Sequence, residues 1–146
     1  MKKEEVQQRV LKDGKPLDIN LFDWDEKTKT FTTAEGNLVI GFSGLIDCTF
    51  DTGSHCTFET ENNCTFDTGS HCTFNTWDNC TFDTGHDCTF DTRSHCTFET
   101  ENNCTFNTWH DCTFKTEGNC VIVNRNVLDG IQPSSVNKNV IVEFFK

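Results

Sequence analysis

The sequence predicts an all-β fold: a β-solenoid with sixteen-residue coils, a short N-terminal helix and capping segments at both ends. Three observations carry that expectation. From Cys48 to Cys120 every eighth residue is cysteine. The first nine of these are followed by Thr-Phe, a β-branched and aromatic pair suited to a pleated surface. The sixth position of the unit changes character between alternate units, which points to two units per coil. On this reading residues 1–39 are a helix and cap, 40–127 the octapeptide solenoid, and 128–146 a capping strand.

The elements follow in chain order. Glu4–Lys12, with Val6 and Val10 at helical spacing, is the expected helix, and Asp13-Gly14-Lys15-Pro16 ends it. Leu17-Asp18-Ile19-Asn20-Leu21 alternates as a strand, and Phe22, Trp24 and Phe31 are apolar enough to close the first coil. Ile40-Gly41-Phe42 reads as a degenerate unit in phase with Cys48-Thr49-Phe50.

The regular units then place Cys and Phe on one face of each strand and Thr on the other. The inward ladder is Cys48 and Phe50, Cys56 and Phe58, Cys64 and Phe66, Cys72 and Phe74, Cys80 and Phe82, Cys88 and Phe90, Cys96 and Phe98, Cys104 and Phe106, Cys112 and Phe114, closed by Cys120. No three-residue strand is stable alone, but stacked copies bury a continuous column. At the far end Val140, Val142 and Phe144 alternate again, either to cover the last coil or to pair with a second chain.

Coils of sixteen, twenty-four and thirty-two residues differ in what they stack. Sixteen aligns Trp77, Arg93, Trp109 and Arg125 in one turn column, a cation–π arrangement, and groups Gly53, Gly69 and Gly85 on the opposite turn, where positive φ would explain them. It also sets His71 beside Asp87 and His95 beside Asp111. Against it stands one column, Asp51, Asp67, Asp83 and Glu99 before Lys115, because like charges directly opposite destabilise a sheet.

Composition excludes several classes of function. Twelve Lys and Arg against 23 Asp and Glu give −11, which argues against binding DNA or anionic membranes. No apolar run approaches the roughly 18 residues of a membrane span. The opening MKKEEVQQRV turns acidic where an export signal needs an apolar stretch, so a cytoplasmic location is expected.

The ten cysteines have a uniform spacing unlike zinc motifs, and free buried thiols are preferred over disulfides or metal. The five histidines read as solvated turn residues; no catalytic residue, metal or cofactor is expected. The outward Thr columns invite an ice-binding reading, but each is flanked by a rank of Asp, Glu or Asn.

Charge is the main functional signal. Residues 48–119 hold 12 acidic and two basic residues, net −10, leaving −1 for the rest. Spread over roughly 24 Å of rod this is about one charge per 2.4 Å, against one per ~1.7 Å in duplex DNA.

The CTFxT units, with Gly next in three repeats and Asn or Asp last, resemble the octapeptide-repeat proteins of bacteriophages and prophages of Gram-positive bacteria. The leader VLKDGKPLDINLFDWDEKTKTF and the exit segment EGNCVIVNRNV are similar to that group as well. More distantly the chain is similar to the pentapeptide-repeat β-solenoids, some of which mimic DNA and inhibit type II topoisomerases. The resemblance implies a phage-type solenoid in a bacterial cytoplasm with a host or phage protein as partner. The leading expectation is thus a non-catalytic acidic interaction module, a nucleic-acid mimic for a DNA-binding protein, with Asp51, Asp67, Asp83 and Glu99 as its contact. The alternatives are a scaffold assembling through Val140, Val142 and Phe144, and a threonine-array ice binder.

Overall fold

A computed structural model describes residues 1–124 and 141–144, the last four and Asn124 by their backbone. Among the described residues the chain is all-β apart from one short helix and one 3-10 turn, a solenoid of about six coils of some sixteen residues. Helix α1 (Lys3–Gln7) is followed by β1 (Val10–Lys12), β2 (Lys15–Pro16), a 3-10 turn (Ile19–Leu21), β3 (Asp23–Asp25), β4 (Thr30–Thr32) and β5 (Leu38–Gly41). The octapeptides supply β6 (Thr49–Thr52), β7 (Thr57–Glu59), β8 (Thr65–Thr68), β9 (Thr73–Asn75) and β10 (Thr81–Thr84). They continue with β11 (Thr89–Asp91), β12 (Thr97–Thr100), β13 (Thr105–Thr108), β14 (Thr113–Thr116) and β15 (Val121–Asn124), and β16 (Ile141–Phe144) comes last.

Alternate units pair in parallel. One sheet runs β14-β12-β10-β8-β6-β4-β3, the other β16-β15-β13-β11-β9-β7-β5-β1-β2. Thr65 pairs with Thr81 and Thr73 with Thr89, so each residue meets its equivalent sixteen positions on. The two sheets are the broad faces of a flattened prism, and the turns between them form its two narrow edges.

Phenylalanine sets how close the faces come. Phe66 and Phe82 stack at 4.9 Å and 4° within one sheet; Phe74 and Phe82 meet edge to face across the core at 5.2 Å and 72°. This herringbone continues from Phe50 to Phe114, with every ring in an offset or T-shaped arrangement that the aromatic quadrupole favours. Nine of the ten cysteines are buried, Cys112 half-buried, and all ten are free. In the same core lies a residue outside the Cys and Phe ladder: the second Thr of each Cys-Thr-Phe unit, Thr52 through Thr116, is buried. Alternation continues two residues beyond Phe and turns this Thr inward.

The N-terminal cap departs from expectation in three places. The helix stops at Gln7, and Val10–Lys12 is a strand, held antiparallel between Lys15–Pro16 and β5. Asp13 and Gly14, at φ 52° and 74°, form the tight turn of that hairpin. Both Val6 and Val10 are buried, but only the first from a helix. Second, residues 19–21 form a 3-10 turn, because the Asp18 carboxylate accepts the Asn20 N–H and caps it. Third, Ile40 rather than Phe42 stacks over Phe58, so this coil has two extra residues and Phe42 turns in against Phe31 and Phe50. Phe22, Trp24 and Phe31 do close the first coil: Phe22 and Phe31 are buried and packed on each other, and the Trp24 indole donates to the Met1 carbonyl at 2.8 Å.

At the other end β16 pairs in parallel with β15, Val142 opposite Ile122, so the chain covers that edge with its own strand. Val140 and Arg125 lie outside the described residues.

Candidate functional site

The two broad faces share a backbone and a core but differ at the fourth position of the unit. On one, Asp51, Asp67, Asp83 and Glu99 are direct neighbours on successive strands, and all are exposed. The row ends where Lys115 pairs with Glu99. Stacked strands lie ~4.8 Å apart, so four carboxylates follow one another with nothing between them. On the opposite face the order is Glu59, Asn75, Asp91, Asn107. There an amide separates each carboxylate, and Asn107 Nδ2 donates to Asp91 at 3.1 Å. The face with the unbroken row is the acidic face, the other the mixed face. Thr49, Thr65, Thr81 and Thr97 pair alongside the acidic row on the same face, so no uncharged threonine plane exists there.

The turns are built by the seventh and eighth positions. Position eight is left-handed in each of the nine Cys-Thr-Phe units, with φ between 56° and 63°, and in these it is always Asn, Asp or His. Only glycine and short polar residues visit that region readily, so the residue type is a backbone requirement. The glycines at position six do not need it. Gly53, Gly69 and Gly85 have ordinary φ; a Cβ on Gly69 would lie 2.2 Å from Ser54 Oγ, so close approach between coils is what selects glycine. At position seven a side-chain acceptor takes the N–H of the next coil, Ser54 from Ser70 at 3.1 Å and Asp78 from Ser94 at 2.8 Å.

No family model matches this chain, and no curated protein or solved structure matches it.

On the turn after the mixed face, Arg93 lies over the Trp77 ring at 4.1 Å, as the coil length required. Trp109 follows one coil on, joined through its N–H to the Arg93 carbonyl at 3.4 Å. Trp77 and Trp109 stay 41% and 48% exposed, so both rings belong to the surface. Beside them a shallow cavity of about 340 Å³ opens between Arg93, Trp109, His95 and His110.

All five histidines meet in the turns. His55 stacks on His71 at 4.7 Å; His71 meets His86 edge-on, and His86 Nδ1 lies 2.6 Å from Asp87 Oδ2. On the other edge His95 meets His110 edge-on, and His110 Nδ1 lies 2.8 Å from Asp111. The proximity of His71 to Asp87 and of His95 to Asp111 follows from the coil length; the seventh-position His86 and His110 joining them does not.

Hydrogen bonds between stacked thiols shift their proton affinities in both directions. A hydrogen bond with Cys72 and burial push Cys56 above its ordinary 9.0, and a hydrogen bond with Cys112 pushes Cys96 up to about 12. Cys64, Cys88, Cys112 and Cys120 move the other way, each lowered first by a hydrogen bond from a neighbouring thiol of its column, and of these Cys112 is the least buried. Among the described residues no helix is long and apolar enough to cross a membrane.

Proposed function

We propose that this protein is a non-catalytic interaction module whose acidic face binds the basic, DNA-contacting surface of another protein, as a nucleic-acid mimic. The unbroken row Asp51, Asp67, Asp83, Glu99 carries the reading. Like charges in adjacent strands cost stability, and the mixed face of the same solenoid avoids that cost by inserting asparagine. A row retained where the fold does not need it belongs to a partner. The charge density along the rod, about one per 2.4 Å, comes within a factor of two of duplex DNA, and its rigid β framework fixes the spacing before contact. The partner is a host or phage protein in a bacterial cytoplasm, as the sequence resemblance implies.

The test is a pull-down from bacterial lysate with wild type and with a variant carrying Asp51→Asn, Asp67→Asn, Asp83→Asn and Glu99→Gln. Wild type should retain DNA-binding proteins that are released by added duplex DNA and by salt as the Debye length shortens. The variant should retain none of them. Unchanged capture by the variant dismisses the proposal.

A further inference from the structure

The histidine clusters on the two narrow edges carry an inference that is independent of the acidic face. We propose that His71, His86 and Asp87, and likewise His95, His110 and Asp111, form two surface sites for a divalent transition metal such as Zn²⁺ or Ni²⁺. In each trio the three ligand atoms already lie within 4.8 Å of one another. Tetrahedral ligands about 2.0–2.1 Å from zinc stand roughly 3.3 Å apart, so side-chain rotation alone brings either trio onto one ion. Imidazole and carboxylate donors suit zinc, nickel and copper, and three protein ligands leave a coordination position for water or a ligand from outside.

The way the repeat makes the sites argues against coincidence. Position eight accepts Asn, Asp or His for its left-handed backbone, so a histidine there needs no ligand to explain it. Position seven has no such requirement: Ser54, Asn62, Ser70, Asp78, Ser94, Asn102 and Gly118 all occupy it. Histidine appears at position seven only as His86 and His110. Each is followed by Asp, and each stands one coil after a position-eight histidine, His71 or His95. The same trio thus arises twice, on opposite edges of the prism, spanning two coils both times. His55 is the internal control. It stacks on His71, but the position-seven residue of the next coil is Ser70, so no trio forms around it. The net charge of −11 favours cation approach at both edges.

The repeat supplies substitutions that keep the turn intact. Asparagine already stands at position eight in Asn63 and Asn79, and serine at position seven in Ser54 and Ser70. Titration calorimetry of the reduced full chain with Zn²⁺ or Ni²⁺ should give two equivalents. His71→Asn with His86→Ser should leave one, His95→Asn with His110→Ser should leave the other, all four together none, and His55→Asn should leave both. Asp87→Asn, which removes a direct ligand, should weaken its site beyond the roughly 10–100-fold that loss of an outer-shell partner costs. Saturating Zn²⁺ should raise the melting temperature of wild type, since each ion bridges two coils, and should not raise that of the fourfold variant. Wild type without metal binding overturns the proposal. So does a fourfold variant that still binds Co²⁺ with thiolate charge-transfer absorption, because the cysteines would then be the ligands.

Discussion

The acidic and mixed faces differ by one position in eight, and that position separates what the fold needs from what it tolerates. Both faces have the same Cys-Thr-Phe strand, the same in-register parallel pairing and one shared phenylalanine herringbone. Outward, the mixed face alternates carboxylate and amide while the acidic face does not. Inward, a second difference follows. On the acidic side the buried hydroxyls of Thr52, Thr68, Thr84 and Thr100 reach the carbonyl of the next residue at 3.3–3.4 Å. On the mixed side the hydroxyls of Thr60, Thr76, Thr92 and Thr108 reach no carbonyl, and on the acidic side that of Thr116 reaches none either. One repeat thus makes two faces: apart from Thr116, the acidic one is satisfied inside and strained outside, while the mixed one is relaxed outside and lacks the carbonyl contact inside.

The core should not distinguish the faces at all. Phe82→Ala on the acidic side and Phe90→Ala on the mixed side should each cost about 3–5 kcal/mol in urea unfolding, because each removes a ring stacked on two others. A large inequality would break the symmetry of the core. Next in size is the left-handed residue: Asn79→Ala should lose roughly 1–2 kcal/mol and Asn79→Gly much less. Equal losses would mean that the side chain, not the backbone, is what the turn requires.

The inner threonines sharpen the comparison. Thr76→Val should be neutral or stabilising by up to about 1 kcal/mol, since it removes a buried hydroxyl with no partner, whereas Thr68→Val should lose a few tenths. The thiol columns give the pH dependence. For Cys56 and Cys96 the folded chain holds the proton above the ordinary 9.0, so unfolded thiols release protons first and stability falls as pH rises past about 9. Melting temperature should therefore fall between pH 9 and 11. Thiol-specific reagents at neutral pH should leave native cysteines unmodified except Cys112.

The winding was legible because a strict period of eight combines with an alternating sixth position, and only a two-unit coil keeps Trp77 beside Arg93. The cap was less so. Val6 and Val10 are four apart, which suits a helix, but Asp13-Gly14 turns the chain into a hairpin whose first strand is fixed by β5, some thirty residues away. Long-range pairing overrides local spacing there. At position six, glycine has two uses, positive φ and close approach, and composition alone does not separate them; the Ser54 hydroxyl beside Gly69 does. Position eight did carry a signal, its confinement to Asn, Asp and His in the nine Cys-Thr-Phe units, which marks a left-handed residue. The histidine trios needed the exact offset between positions seven and eight across coils. The acidic row itself was plain in the sequence, but its significance lies in the contrast with the opposite face.

By this contrast the acidic row is a cost to the fold that the mixed face avoids. Thermal unfolding of the variant carrying Asp51→Asn, Asp67→Asn, Asp83→Asn and Glu99→Gln, against wild type at low and high salt, measures this directly. The variant should melt higher at low salt, and the gap should narrow as salt screens the row. A variant that melts at or below wild type at low salt would show that the row supports the fold, and would contradict the account.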